Sequence, residues 1–133
     1  MKFRLILIWV NSLFFTLYGL SFIFLPNTLF PFITDSQLTS ASALIDIRAT
    51  FGGMSLGLGL VLALFTLTPS NHRLGLWAIL IIMLAMACSR SLGLLQENSA
   101  NNMMFIYLVC EMIVALLALI ALGYDKKMMQ TKK

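Results

Sequence analysis

The sequence predicts an all-α integral membrane four-helix bundle, and three observations make that prediction. Hydrophobic residues fill 60% of the 133 positions, charged residues fill 11%, and mean hydropathy is +0.95. A soluble surface needs roughly 25% charge, so this chain cannot cover itself in water. Four apolar runs, about Leu5 to Leu25, Ala49 to Leu67, Leu74 to Leu94 and Met103 to Leu122, are each long enough to cross roughly 30 Å of hydrocarbon at 1.5 Å per residue. Their apolarity is continuous and does not alternate, which excludes membrane strands.

The first run follows Lys2 and Arg4, as the core of a signal peptide would. It exceeds the roughly 7 to 15 residues of such a core, and Pro26-Asn27 follows it where a small-x-small cleavage site would stand, so a retained helix over about 5–25 is expected. A proline-bearing segment, Leu25-Pro26 to Phe30-Pro31, opens the longer first loop. The second helix is expected over about 43–67, the third over about 74–95 after a tight turn at His72-Arg73, and the fourth over about 103–123. Nearly the whole chain is membrane, so residues 1–133 read as a single transmembrane domain.

Orientation follows from the basic residues. Lys2 and Arg4 precede helix one, His72 and Arg73 join helices two and three, and Lys126, Lys127, Lys132 and Lys133 follow helix four. Four crossings put all of them on one side, and the positive-inside rule makes that side cytoplasmic, so both termini are expected inside. Trp9, Trp77 and Tyr124 sit near the same helix ends, as an aromatic belt would. Asp35, Asp46 and Glu97 fall on the outer side. The expected location is a cell membrane crossed several times, in a bacterium the inner membrane. The net charge of +4 forms no patch able to track a phosphate backbone, so the bilayer, with its anionic lipids, is the expected partner and nucleic acid is not.

Helix two carries the densest motif, Arg48-Ala49-Thr50-Phe51-Gly52-Gly53-Met54-Ser55-Leu56-Gly57-Leu58-Gly59. Gly53 and Gly57 form GxxxG, while α-helical spacing sets Arg48, Gly52, Ser55 and Gly59 on one stripe where another backbone can approach. Glu111, Ala115 and Ala118 make a matching stripe on helix four, and Gly93 is a further small residue for packing. Such stripes fit the inside of one bundle more simply than a dimer seam.

Arg48, Arg90 and Glu111 stand inside or at the edge of apolar runs, where an unpaired charge costs at least about 2.5 to 3.5 kcal/mol. Counted from the outer helix ends, Arg48 lies at the boundary, Arg90 roughly 6 Å below it and Glu111 roughly 12 Å below it. Long arginine side chains span such offsets, so the three are expected to meet in an outer-half cavity. Asp46 is two positions from Arg48 and points away on an ideal helix. The cavity would then hold two positive charges and one negative, and a bound anion would balance them; alternatively the charges form a buried cluster that fixes helix register. Tyr107, Tyr18, Thr16 and Ser12 could add hydroxyls, and Asn11 is expected to bond another helix.

Other chemistries lack their signatures. Cys88 and Cys110 have no CxxC context and read as small buried residues; His72 is a lone interfacial histidine without a second metal ligand. The nine methionines suit gap filling. No P-loop, dinucleotide fingerprint or nucleophile elbow is present, so no metal, cofactor or catalytic residue is expected.

Arg48-Ala49-Thr50-Phe51-Gly52-Gly53, Leu56-Gly57-Leu58-Gly59, Arg90-Ser91-Leu92-Gly93 and Glu111 in the last helix resemble a bacterial family of four-helix membrane proteins, the domain of unknown function 4345. The resemblance extends over nearly the full length, the proline-bearing segment included. It implies fold and site position, and no activity. Three functions stay open: a binding or accessory module holding an anionic lipid headgroup or small carboxylate, a minimal transporter subunit acting as a homo-oligomer or in a larger complex, and a lipid-modifying enzyme with Glu111 as base.

Overall fold

In a computed structural model, residues 2–97 and 100–130 are described, with side chains as far as Tyr124. The C-terminal lysines of the orientation argument, Lys126, Lys127, Lys132 and Lys133, lie outside the described side chains. Helix α1 (Lys2–Phe24) leads to a short helix α2 (Pro26–Thr34). Helix α3 (Ala41–Ile47), a π-helical turn (Arg48–Met54) and α4 (Ser55–Thr66) form the second long rod. A 3-10 turn (Pro69–Asn71) then feeds α5 (His72–Gln96), and α6 (Asn102–Gln130) completes the all-α chain. Four of these helical stretches, Lys2–Phe24, Ala41–Thr66, Pro69–Gln96 and Asn102–Tyr124, are long and apolar enough to cross a membrane.

The first loop holds more order than expected. Pro26 sits at the first helical position of α2, where its missing N–H costs nothing. Asp35 ends α2 in the left-handed conformation, φ 56°, and its backbone N–H donates to the Pro31 carbonyl. Ser40 caps α3, its hydroxyl accepting from the Ala43 N–H at 3.1 Å.

Two antiparallel pairs build the bundle. Helix α1 packs along the π turn and α4, α6 packs along α5, and α1 with α4 rests on α5 to join the halves. The α1 seam is a backbone contact. A Cβ added at Gly19 would fall 2.7 Å from the Gly52 carbonyl oxygen and 2.8 Å from Leu56 Cα, and one at Gly59 would fall 2.6 Å from Thr16 N. The Ser12 hydroxyl donates to the Gly59 carbonyl at 2.7 Å, a bond open only at this short separation. Asn11, expected to bond another helix, donates instead to Leu7 O of its own helix at 2.8 Å.

The π turn decides which residues meet this seam. Its i to i+5 bonding places Arg48 beneath Gly53 where an α-helix would place it beneath Gly52, and the Arg48 carbonyl lies 3.8 Å from a Cβ built on Gly53. The expected stripe of Arg48, Gly52, Ser55 and Gly59 is therefore broken. Gly52 and Gly59 are buried on α1, whereas Arg48, Gly53 and Gly57 are exposed on the outward face. A Cβ at Gly57 meets nothing within 4 Å, so GxxxG is not the packing motif within this bundle. The Thr50 hydroxyl donates to Asp46 O at 2.7 Å, binding a carbonyl beside the widened turn.

The apolar core occupies the end of the bundle that carries the N-terminus. Ile8, Leu62, Leu76, Ile79 and Ala118 are wholly buried there, with Met83, Ala115 and Ala121 around them. His72 is buried as well, its Nε2 3.3 Å from Thr66 O, so it closes the turn between α4 and α5 at the end of the bundle. Leu13, Leu17, Leu64, Ile81, Ile113 and Leu116 all face outward. So many large apolar side chains on every long helix make a surface that hydrocarbon covers and water does not.

The seam yields a prediction. Gly19→Ala and Gly59→Ala should each lower the melting temperature in detergent, by the equivalent of about 1–3 kcal/mol, because backbone blocks the added methyl. Gly57→Ala should be neutral or slightly stabilising, since alanine favours a helix by about 1 kcal/mol. Equal losses at all three positions would refute the α1 seam.

Candidate functional site

The distal end of the bundle, away from the N-terminus, carries the polar groups. Helix α5 brings Arg90 and α6 brings Glu111 face to face. Nη2 of Arg90 donates to Oε1 at 2.6 Å, and Nε donates to both carboxylate oxygens at 3.1 Å. The Glu111 side chain is 6% exposed and that of Arg90 21%. Nη1 reaches Met104 Sδ at 3.3 Å, and the guanidinium carbon lies 5.2 Å from the Tyr107 ring centroid, within cation–π range. An arginine carries five N–H groups. These contacts leave a second N–H on each terminal nitrogen without an acceptor among the described residues.

Tyr18 of α1 is half-buried. It belongs to an aromatic ladder, stacked on Phe14 at 5.8 Å and against Phe22 at 4.8 Å. Phe22 continues to Phe51 in the π turn at 5.3 Å, and Phe51 to Phe30 of α2 at 6.4 Å. The ladder ties α1, the π turn and α2 together beside the ion pair.

Of the predicted cluster, the structure brings Arg90, Glu111 and Tyr107 into direct contact, while the Tyr18 ring packs on Phe14 and Phe22. Arg48 is exposed on the far side of the π turn, and its side chain makes no ion pair or hydrogen bond with a described residue. The expected surplus of positive charge around Glu111 is therefore absent: one arginine meets one glutamate. Ser12 and Thr16 serve the α1 seam instead. Cys88 and Cys110 are free and exposed, where small buried residues were expected.

A cavity of about 450 Å³ opens beside the ion pair. Helix α5 lines it with Arg90, Gly93 and Leu94, which share one helical face, and Glu97 lines it from the extended residue that ends α5. Ala100, Asn101 and Met104 close it from the start of α6, and Thr34 from the end of α2. Asn101 holds that corner. Its Nδ2 donates to Ile33 O at 2.7 Å while its Oδ1 accepts from the Met104 N–H at 3.3 Å, capping α6 and pinning α2 to it. Gly93, expected as a packing residue, stands in the cavity wall, where a Cβ meets nothing within 4 Å. Sequence reasoning missed Thr34, Glu97 and Asn101; the seven-residue spacing of Arg90 and Glu97 was the available signal.

Four helices long and apolar enough to cross a membrane, around a charge pair with an adjoining cavity, fit a small multi-pass membrane protein of the four-helix class. The family model for the domain of unknown function DUF4345 matches residues 3–122, and the chain belongs to that family. No curated protein and no solved structure matches it.

The ion pair sets up a double-mutant cycle. Arg90→Gln or Glu111→Gln alone should cost about 3 kcal/mol, because each strands a charge in an apolar setting, and the double variant should regain part of that loss. Arg48→Gln, outside the pair, should cost under about 0.5 kcal/mol. Strictly additive losses at Arg90 and Glu111 would show that they are not coupled.

Proposed function

We propose that the chain is a small inner-membrane binding or accessory module whose distal cavity receives the phosphate or carboxylate head of an amphiphile against Arg90. The observation that supports this reading is the divided guanidinium. One edge is neutralised by Glu111, so the arginine can stay in an apolar bundle, its remaining N–H groups keep no acceptor among the described residues, and the residue lines a cavity with polar and apolar walls. Arginine's planar donor fork suits phosphate and carboxylate oxygens, and about 450 Å³ lies in the range of small-molecule sites. Leu94, Ala100 and Met104 give the ligand an apolar contact beside the head.

Glu111 has both oxygens engaged by Arg90 and does not line the cavity, which counts against its use as a general base. Lys2, His72 and Arg73 share the end opposite the cavity, which by the positive-inside rule supports an orientation with both termini cytoplasmic and the cavity in the outer leaflet. Trp9, Trp77 and Tyr124 face outward near that cytoplasmic end, in keeping with an interfacial belt.

Two measurements check the reading. Reporter fusions should place both termini and the His72 turn in the cytoplasm and the Glu97 loop outside; a periplasmic C-terminus would reverse the assignment. Native mass spectrometry of detergent-extracted protein should show a retained phospholipid or fatty acid that Gly93→Leu, which fills the cavity and spares the ion pair, no longer holds. Equal retention by Gly93→Leu would place the ligand elsewhere.

A further inference from the structure

The charges along the cavity wall narrow the ligand class. Arg90 and Glu111 cancel, so the remaining formal charge at the cavity is the carboxylate of Glu97. A purely anionic head would meet a net negative surround; a zwitterionic head with a cation beyond its phosphate would not. Arg90 and Glu97 both line the cavity and are seven residues apart, which is about 10 Å of helical rise. Glu97 ends α5 in extended backbone, φ −106° and ψ 122°, its N–H donating to Gly93 O at 2.9 Å, and it borders the same cavity as Gly93. Between the two charges Gly93 leaves the wall open, so a ligand can bridge them without a clash.

We propose that the cavity takes a phosphoamine headgroup, its phosphate on the free N–H groups of Arg90 and its primary ammonium on Glu97. This rests on the headgroup-binding reading above and adds the second contact. A primary ammonium donates three N–H groups to a carboxylate, whereas a quaternary ammonium donates none, so ethanolamine-type heads are selected over choline-type ones. A glycerol head lacks the cation altogether. The Thr34 hydroxyl, which donates to Phe30 O at 2.7 Å, keeps its lone pairs to accept from the same ammonium.

The test uses the delipidated full chain in a neutral detergent, with its melting temperature read against added phosphatidylethanolamine, phosphatidylcholine and phosphatidylglycerol of identical acyl chains. Wild type should gain several degrees with phosphatidylethanolamine and markedly less with the other two. Glu97→Gln, at an exposed position, should fold and level the three lipids, while Gly93→Leu should lose every gain. Soluble O-phosphoethanolamine forms a parallel arm: a matching shift assigns the ligand to the aqueous phase, and no shift assigns it to the bilayer. Equal gains from phosphatidylethanolamine and phosphatidylglycerol in wild type, or an undiminished ethanolamine preference in Glu97→Gln, would overturn the phosphoamine assignment alone. Lipid gains unchanged in Gly93→Leu would overturn the cavity reading itself.

Discussion

A charge in an apolar helix bundle has to be neutralised where it stands, and the pairing of Arg90 with Glu111 meets that demand. The consequences spread outward from it. Donation of 2.6 Å from Nη2, with Nε shared between both carboxylate oxygens, fixes the register of α5 on α6 and so fixes where the connection between them must turn. Asn101 begins α6 just after that connection and reaches across to Ile33, so the same register positions α2. The cavity at this corner is the space left when two helices are held by a long arginine and a glutamate while Gly93 contributes no side chain.

The other half of the bundle is held by close approach and not by charge. Gly19, Gly52 and Gly59 bring α1 and the second rod into backbone contact, which exposes the Gly59 carbonyl to the Ser12 hydroxyl. Hydrocarbon gives helices little hydrophobic reason to associate, so such contacts carry the burden of dispersion and hydrogen bonding. The π turn serves this seam. By adding one residue to a turn it lets Gly52 face α1 while Arg48 swings to the outer face, where its long side chain can extend to an interface.

Most of the fold was legible because membrane solvation leaves few alternatives: apolar runs of about 20 residues must be helices, and their ends follow from charge and proline. The pairing of Arg90 with Glu111 was legible for the same reason, since both charges had to be neutralised within the apolar outer half and a long arginine side chain spans their difference in depth. Arg48 was misplaced because a stripe argument assumes 100° per residue, and no residue in Arg48–Met54 announces a π turn. GxxxG misled in a related way. Gly53 and Gly57 are the familiar spacing, but the buried contact uses Gly52 and Gly59 against Gly19, and the seven-residue spacing became visible only with the partner helix in place. Thr34, Glu97 and Asn101 were hidden because the first loop was read as a connection, whereas α2 folds back to form one wall of the cavity.

The ion pair by itself would be explained by helix register, and a purely structural pair is best served by complete burial in a filled interface. This one is not built that way. Glu111 is sealed, yet Arg90 keeps donors without an acceptor among the described residues and lines a cavity, and the lining residue one turn further along α5 is a glycine. Two turns along stands a carboxylate with no basic partner among the described residues. A register device needs none of these three features. A site that holds one end of a ligand with a neutralised arginine and the other with an acid uses all of them, because the buried glutamate lets the arginine reside in the bundle and the glycine leaves room for what it binds.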